Sequence, residues 1–248
     1  MKGYRYSNQI PMFGHKDIIG YGDDDFYVEE IERKIANDII VNNHYSKKYF
    51  NNSYIHLGVY IKGELLGVFQ FGHLMNPSSA NSIVKGSDSF SCLELNRMWL
   101  DDIADRNSES KAMAFCIKYI KGKDKFKSPN SINGKPSNVC RIKWIQSFAD
   151  ERCGGLGIVY QACSFKYYGI HVSEFYVLDD EYYHQTYFTN TKGKSAAKSK
   201  KAIETRNRIN ECKKETLRQF RYIKFLDKNS IKNCTKTEQP YPKHYNND

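Results

Sequence analysis

No run of this chain approaches the ~20 apolar residues of a membrane-spanning helix, and Met1-Lys2-Gly3-Tyr4 lacks the pattern of a secretory leader. A soluble, intracellular protein is therefore expected. Paired cysteines are missing as well. Cys92, Cys116, Cys140, Cys153, Cys163, Cys212 and Cys234 contain no Cys-x-x-Cys, which denies zinc its usual close ligands, and their odd number argues against a disulfide framework. His44, His56, His73 and His184 are scattered, so no metal site is expected. Negative charge is in deficit: across 248 residues the formal net charge is +10, which favours a polyanionic partner because each neutralised phosphate releases condensed counterions.

Aromatic residues are plentiful, with 19 Tyr and 14 Phe, and the 40% apolar fraction suffices for one sizeable core with appendages. Residues 1–26 show little periodicity and read as an irregular lead-in, although Asp23-Asp24-Asp25 stands where acidic residues favour a helix start. Val28, Ile31, Ile35 and Ile39 then follow at helical spacing up to a polar turn, Asn42-Asn43-His44-Tyr45-Ser46. Alternation from Tyr54 to Ile61, a turn at Lys62-Gly63-Glu64 and a return over 65–72 predict a β-hairpin. Ser91 to Leu100 is a further strand, in which Arg97 beside Glu94 reads as either a structural ion pair or a substrate-orienting pair. Met113, Cys116, Ile117 and Ile120 predict the next helix. Its start, with Arg106, Ser108 and Ser110, is a candidate anion site, since a helix N-terminus presents free N–H groups.

Residues 121–139 are basic and loop-like. The stretch 141–170 reads as a strand from Arg141 to Phe148, a break at Ala149-Asp150, the pair Gly154-Gly155, and a helix with Leu156, Val159, Tyr160 and Cys163 on one face. Ligands often sit at the carboxyl ends of strands that feed helices, which makes Ser147, Asp150 and Tyr160 candidate site residues; a helix-capping Asp150 and a core Tyr160 are the alternative. Glu174 to Leu178 and Tyr182 to Tyr187 predict two strands joined at Asp179-Asp180. Lys192 to Lys214 is dense in basic residues and suits a phosphate backbone, Leu217 to Leu226 predicts a last strand, and 228–248 reads as a flexible tail. The chain thus divides into a lead-in (1–26), a core (27–191), a basic helix with a closing strand (192–227) and a tail (228–248).

The order helix, hairpin, strand, turn with helix, strand, helix, strands resembles the GCN5-related N-acetyltransferase fold, an α/β class with a mixed, mostly antiparallel central sheet flanked by helices. In that fold the strand-turn-helix cradles an acyl donor's pyrophosphate, which maps donor binding onto Arg106, Asn107, Ser108 and Ser110, and a late tyrosine protonates the thiolate, which maps onto Tyr160. The donor loop of that fold is glycine-rich, whereas Arg106 to Lys111 has no glycine and carries Glu109. A closer resemblance rests on six motifs in order: NHYSKK, NNSYIHLGVYIKGELLGVFQFGHLMNPSS, LELNRMWL, RNSESKA, KWIQSFADERCGGLGIVYQA and RQFRYIKF. Together they look like the phage Mom family, over roughly residues 27–226.

That resemblance implies a transferase that converts adenine in phage DNA to N6-carbamoylmethyladenine and blocks host restriction, acting in the cytoplasm of a bacterial host. Its partner would be double-stranded DNA with the target adenine flipped out, since N6 is out of reach inside the duplex. The catalytic candidates are Asp150 as general base, Ser147 and Asn96 as hydrogen-bonding groups, Arg97 for developing negative charge, Tyr45 and Tyr160 as aromatic walls or, for Tyr160, a general acid, and His44 in the polar turn. Lys198, Lys200, Lys201, Arg206, Arg208, Arg218 and Arg221 are the candidate DNA contacts. Acetyl-CoA follows from the fold resemblance as acyl donor, while a glycyl group, carried by a charged tRNA, already holds both carbons and the nitrogen of the modification. Two other classes compete: an acetyl-CoA-dependent N-acetyltransferase acting on a small molecule or protein, and a non-enzymatic DNA-binding protein.

Overall fold

The computed structural model describes residues 2–8, 16–132, 135–153, 155–189 and 199–243, and leaves the side chains of 127–140 undescribed. The chain begins with β1 (Gly3–Tyr6), β2 (Ile18–Gly22), β3 (Phe26–Glu30), α1 (Arg33–Asn43), β4 (Ser53–Ile61) and β5 (Glu64–Gly72). A short α2 (Ala80–Ile83) precedes β6 (Cys92–Leu100) and α3 (Ser108–Gly122). Then come β7 (Lys125–Ile132), β8 (Lys135–Cys140), β9 (Trp144–Asp150), α4 (Ile158–Ala162), β10 (Lys166–Leu178) and β11 (Glu181–His184). The short α5 (Thr186–Thr189), α6 (Lys200–Asn207), β12 (Lys213–Phe225) and α7 (Lys228–Lys232) follow.

Ten strands form one sheet in the order β1-β2-β3-β4-β5-β6-β9-β12-β10-β11. Every neighbouring pair is antiparallel except β6 with β9. The expected mixed, mostly antiparallel sheet flanked by helices is therefore the architecture found. On one face, α3 packs Ala112, Met113, Cys116 and Ile120 against Leu57, Phe69, Phe71, Leu93 and Ile145, all at 0–1% exposure. On the other, Ala36 and Ile40 of α1 meet Val68, with Trp99 alongside. Burial at this level is worth roughly 1.5–3 kcal/mol per large side chain, and the alternation of Val68 with Phe69 along β5 is what lets one strand serve both layers.

Turn chemistry fixes the hairpins. Lys62 and Gly63 both take positive φ between β4 and β5, as do Asp179 and Asp180 between β10 and β11, the backbone hand that matches the twist of two-residue hairpins. The acidic run at 23–25 does not start a helix. The Asp23 carboxylate accepts the Phe26 N–H at 2.8 Å, which closes a turn between β2 and β3, and Phe26 and Val28 enter the core as strand residues. The helix starts only at Arg33, and its buried stripe is Ala36 and Ile40, with Ile35 at 42% exposure.

Four other expectations are corrected. Part of the lead-in forms β1 and β2, and part of the basic 121–139 segment pairs as the β7–β8 hairpin. The helix expected over 156–163 is one turn and a half, because Gly157 sits at its start with φ +74° and Cys163 leaves it. The expected last strand is present as β12, and it lies inside the sheet, hydrogen-bonded to β9 and β10 on either side. Residues 228–243 are not loose: Asp227 caps α7 through the Ser230 N–H at 2.8 Å, the Thr235 N–H donates to the Ile83 carbonyl at 2.9 Å, and the Tyr241 hydroxyl donates to the Phe165 carbonyl at 2.8 Å. Single residues bridging to established elements are enough to order a polar segment that shows no periodicity. Removing residues 227–248 is expected to lower the thermal unfolding midpoint measurably, at roughly 2–4 °C for each kcal/mol lost in a chain of this size; an unchanged midpoint by calorimetry would mean that these contacts add nothing.

Candidate active site

The site grows from a defect in the sheet. β6 and β9 are hydrogen-bonded only from Cys92–Glu94 to Trp144–Gln146, and beyond that they separate. Between β5 and β6, Phe71 faces Leu95 and Gln70 faces Arg97, so Asn96 is an extra residue. Such a bulge turns neighbouring side chains to the same side and bends the strand. The wedge opens into a cleft of about 590 Å³, within the range of small-molecule sites. Asn96, Arg97 and Met98 line it from β6, and Phe148, Ala149 and Asp150 from β9. His44 and Tyr45 close one end, below α1, while Asp102, Glu109 and Tyr160 close the other, beside α3 and α4. Because α1 and α3 lie on opposite faces, the cleft runs between the strands from one side of the sheet to the other.

Asp150 ends β9, buried at 8% exposure. Arg152, in the 3₁₀ turn Glu151–Cys153, donates to Asp150 Oδ1 from Nε at 2.9 Å and from its backbone N–H at 3.0 Å, and to Oδ2 from Nη2 at 2.5 Å. The Tyr45 hydroxyl adds a donor 3.4 Å from Oδ2. Burial pushes the Asp150 carboxyl up, but the Arg152 hydrogen bonds and charge outweigh it, and the group lies below the ordinary carboxylate range. Asp150 is therefore an ionised carboxylate that caps the 3₁₀ turn through the Arg152 N–H and does not cap α4.

His44 is buried at 7% exposure. Its Nδ1 accepts the Ser46 N–H at 3.1 Å and lies 2.8 Å from Ser46 Oγ; the N–H contact favours the tautomer with the ring proton on Nε2. Burial first, then the charges of Arg97 and Arg152, lower its pKa to about 4, so the ring is neutral and offers Nε2–H as a donor. Arg97 does not pair with Glu94. Its Nε donates to the Lys48 carbonyl at 2.9 Å and its Nη1 to the Asn96 carbonyl at 2.6 Å, whereas Glu94 accepts from Gln146 Nε2 at 3.0 Å and from the Met75 N–H at 3.3 Å. Burial raises the Glu94 carboxyl above its ordinary value. Asn96 is held by Ser53 Oγ, which donates to its Oδ1 at 2.9 Å, and by the His73 carbonyl, 3.3 Å from its Nδ2.

Tyr160 is placed by Gly157. A Cβ at residue 157 would stand 2.5 Å from the Tyr222 ring and 2.9 Å from the Tyr160 ring, so glycine is what allows α4 to lie this close. Burial raises the Tyr160 phenol to about 12, keeping it protonated at neutral pH. Ser147 is fully buried on the same side; its hydroxyl faces Tyr160 without a formed hydrogen bond and does not line the cleft. The structure thus gathers His44, Tyr45, Asn96, Arg97, Asp150 and Tyr160 around one cavity.

The donor-binding candidates fall elsewhere. Arg106, Asn107, Ser108 and Ser110 stand at the start of α3 but not in the cleft wall, where Glu109 and Asp102 appear instead. The Ser108 N–H is committed to the Asp105 carbonyl and Ser110 Oγ to the Asn107 carbonyl. The carboxylates of Asp102 and Glu109 in the cleft wall and the lack of glycine from Arg106 to Lys111 argue against the usual diphosphate cradle of coenzyme A at this turn. Of the basic candidates, Lys198 lies outside the described residues. Arg208 is paired with Asp179 and Glu211, Arg218 with Glu151, and Lys200 with Glu204. Arg206 donates to the Tyr187 carbonyl, and Lys201 is exposed on α6. Arg221 stacks on Phe148, its guanidinium carbon 5.3 Å from the ring centre, with Nε buried and unpartnered. Among the described residues, no group of three His, Cys, Asp or Glu side chains is placed to hold a metal ion, and no helix is long and apolar enough to cross a membrane.

A model of the Mom protein family matches residues 25–243. The methylcarbamoylase Mom of Escherichia phage Mu is 40% identical over 229 residues, 91% of this chain and 87% of that protein. This chain belongs to the Mom protein family. Solved structures similar to this Mom-family chain include the ribosomal-protein-S5-alanine acetyltransferase of Vibrio fischeri, at 11% identity and TM-score 0.46, covering 85% of this chain and 98% of that one. Arabidopsis thaliana NAA60 in complex with a bisubstrate analogue gives 9% identity and TM-score 0.46, with 80% and 96% covered.

Sequence reasoning missed Arg152, the residue with the most contacts to Asp150. Its signal was present in Ala149-Asp150-Glu151-Arg152, since an arginine two residues past a strand-ending carboxylate can fold back onto it. Phe148 and Glu109 were missed because nothing local marks a residue as lining a gap between strands. A nitrogen-detected NMR titration should find the His44 ring neutral, with Nε2 protonated, down to about pH 5. The sign for stability follows: an unfolded histidine takes up its proton near pH 6.5 and the folded one near 4, so stability falls as pH drops through that window. Protonation of His44 near pH 6.5 would contradict the burial and the Ser46 contact.

Proposed function

We propose that this protein is a DNA-modifying transferase that acts on N6 of adenine and leads to N6-carbamoylmethyladenine, the modification by which a phage genome evades restriction. The observation that carries this reading is the 40% identity, over 91% of the chain, to the methylcarbamoylase Mom of phage Mu. The cleft supports it by placing an ionised carboxylate, a fixed arginine, a neutral histidine and a protonated phenol around one space.

Adenine N6 is a weak nucleophile because its lone pair is delocalised into the ring, and in duplex DNA the base has to be extruded to be reached. Half-exposed Tyr45 and Phe148 offer aromatic surface at the wall of the cleft. N6 attacks the carbonyl carbon of the acyl donor; the new C–N bond forms and the carbonyl electrons move onto oxygen. Arg97, its fork held by two backbone carbonyls, and the Nε2–H of His44 are the donors available to that oxyanion. The attacking nitrogen becomes positively charged and correspondingly acidic, so a carboxylate of depressed pKa such as Asp150 suffices as proton acceptor. When the carbonyl re-forms, the leaving group departs with its electron pair, and Tyr160 is placed to protonate it from the opposite end.

No step is routed through coenzyme A, whose diphosphate the α3 end does not suit. A glycyl donor supplies two carbons and one nitrogen, the atoms of the modification, and in the donor its ammonium group suits the carboxylates of Asp102 and Glu109. Its transfer gives N6-glycyladenine, an isomer of the product; the glycyl amine, once deprotonated, attacks C6 to close a five-membered spiro ring, and cleavage of the original C6–N bond, with the amine proton passing to the departing nitrogen, leaves N6-carbamoylmethyladenine without a further reactant. Mass spectrometry of nucleosides from cells expressing the protein tests both parts. Modified adenine is expected with the wild type and should fall by about 10²-fold or more in Asp150→Ala and in Arg97→Ala, the usual scale for a general base or an oxyanion donor. Wild-type levels in either folded variant would remove that residue from the mechanism. Doubly labelled glycine should deliver both carbons and the nitrogen to the base, and label arriving from acetate instead would exclude a glycyl donor.

A further inference from the structure

We infer that Arg152 is a positioning residue for the transfer, fixing the orientation of the Asp150 carboxylate at the cleft wall through a guanidinium that is itself immobilised by rings from three separate elements. The inference rests on the reading of Asp150 as the proton acceptor. The guanidinium carbon lies 5.4 Å from the ring centre of Tyr45, after α1, 4.7 Å from that of Phe175 on β10, and 4.9 Å from that of Tyr182 on β11. Each distance is within the reach of a cation–π contact, and the Arg152 side chain keeps only 20% of its surface exposed. A guanidinium clasped in this way presents its fork in a fixed plane, which an ammonium on a flexible stem does not do.

The consequence falls on one oxygen. Asp150 Oδ1 is occupied by two Arg152 donors, Nε and the backbone N–H. Oδ2 takes one Arg152 donor and the longer contact from Tyr45, so the lone pair with least competition is on Oδ2. The proton leaves N6 for that oxygen, and the electrons of the N–H bond stay on nitrogen. The adjacent cation then disfavours the neutral acid, which returns the proton to solvent and resets the carboxylate. Other charges face the pair as well. Glu151 and Cys153 flank it on the same turn, Glu151 being paired with Arg218; the His44 ring and Arg97 approach from α1 and β6. Behind Tyr182, Glu215 of β12 accepts its hydroxyl at 2.9 Å. Arg97 remains when Arg152 is removed, so the effect of Arg152 is separable from that of a generally positive cleft.

The test is a carbon-detected NMR titration of full-length protein labelled at aspartate carboxyls, with the Asp150 signal assigned by its loss in Asp150→Asn, run beside nucleoside mass spectrometry. Arg152→Gln is expected to move the Asp150 midpoint up by about one unit or more, a tenfold gain in proton affinity, and to cut modified adenine at least about tenfold. Arg152→Lys should restore part of the midpoint but little of the activity, because the ammonium keeps the charge and loses the fork. Should Arg152→Gln melt early, Arg152→Lys and Phe175→Leu, which loosens the clasp, carry the same comparison. An unmoved midpoint, or wild-type modification, in the folded Arg152 variants overturns the inference. Wild-type modification by Asp150→Asn overturns only the base assignment, and the titration still decides what Arg152 does.

Discussion

The whole site depends on one interruption of hydrogen bonding. Antiparallel pairing proceeds strand by strand until β6 meets β9, where a parallel ladder holds for three residue pairs and stops. Past that point the backbones part, and the cost of leaving strand edges open is offset by side chains from both strands, from the segment after α1, and from the starts of α3 and α4. Without the extra residue at Asn96, the bulge would be lost and Arg97 would point to the other face. The cleft is thus not an accessory to the fold but its least-paired seam.

Two features make that seam chemically asymmetric. At the α1 end stand the Arg152–Asp150 ion pair, the buried, neutral His44 and Arg97 as the cation without a carboxylate partner; at the α3 end stand Asp102, Glu109 and the protonated Tyr160. A passage basic at one end and acidic at the other suits an anionic nucleic acid arriving on one side and an uncharged or cationic donor group on the other. The same polarity weakens the α3 N-terminus as an anion site: the Ser108 N–H and Ser110 Oγ are engaged with its own backbone, and Asp102 and Glu109 bring carboxylates to the adjoining cleft wall.

Much of this was legible in the chain. The β4–β5 hairpin, β6, α3 and β9 follow from alternation and spacing, and Asp150, Arg97, His44 and Tyr45 could be named from motif order. Three things were not fully legible. The buried stripe of α1 differs from the one expected, because Ile35 and Ala36 are both helix-compatible and only the neighbouring sheet decides which is covered. β12 reads as a terminal strand because insertion between β9 and β10 leaves no local mark. Arg152 was only half legible: its spacing from Asp150 allows it to fold back, but the three rings that hold it come from distant segments.

What the sequence by itself determined is local and compositional: which segments alternate, where glycine and aspartate permit turns, that the charge is positive, and, through six motifs in order, which family the chain joins. What only the tertiary structure decided is which of those residues share a space. Strand register and the separation of β6 from β9 place Tyr160 and Asp150 at opposite ends of one cleft and turn Arg152 back onto a carboxylate. The reason is physical: propensity and periodicity are properties of a few neighbouring residues, whereas the position of a gap is set by contacts between segments fifty or more residues apart.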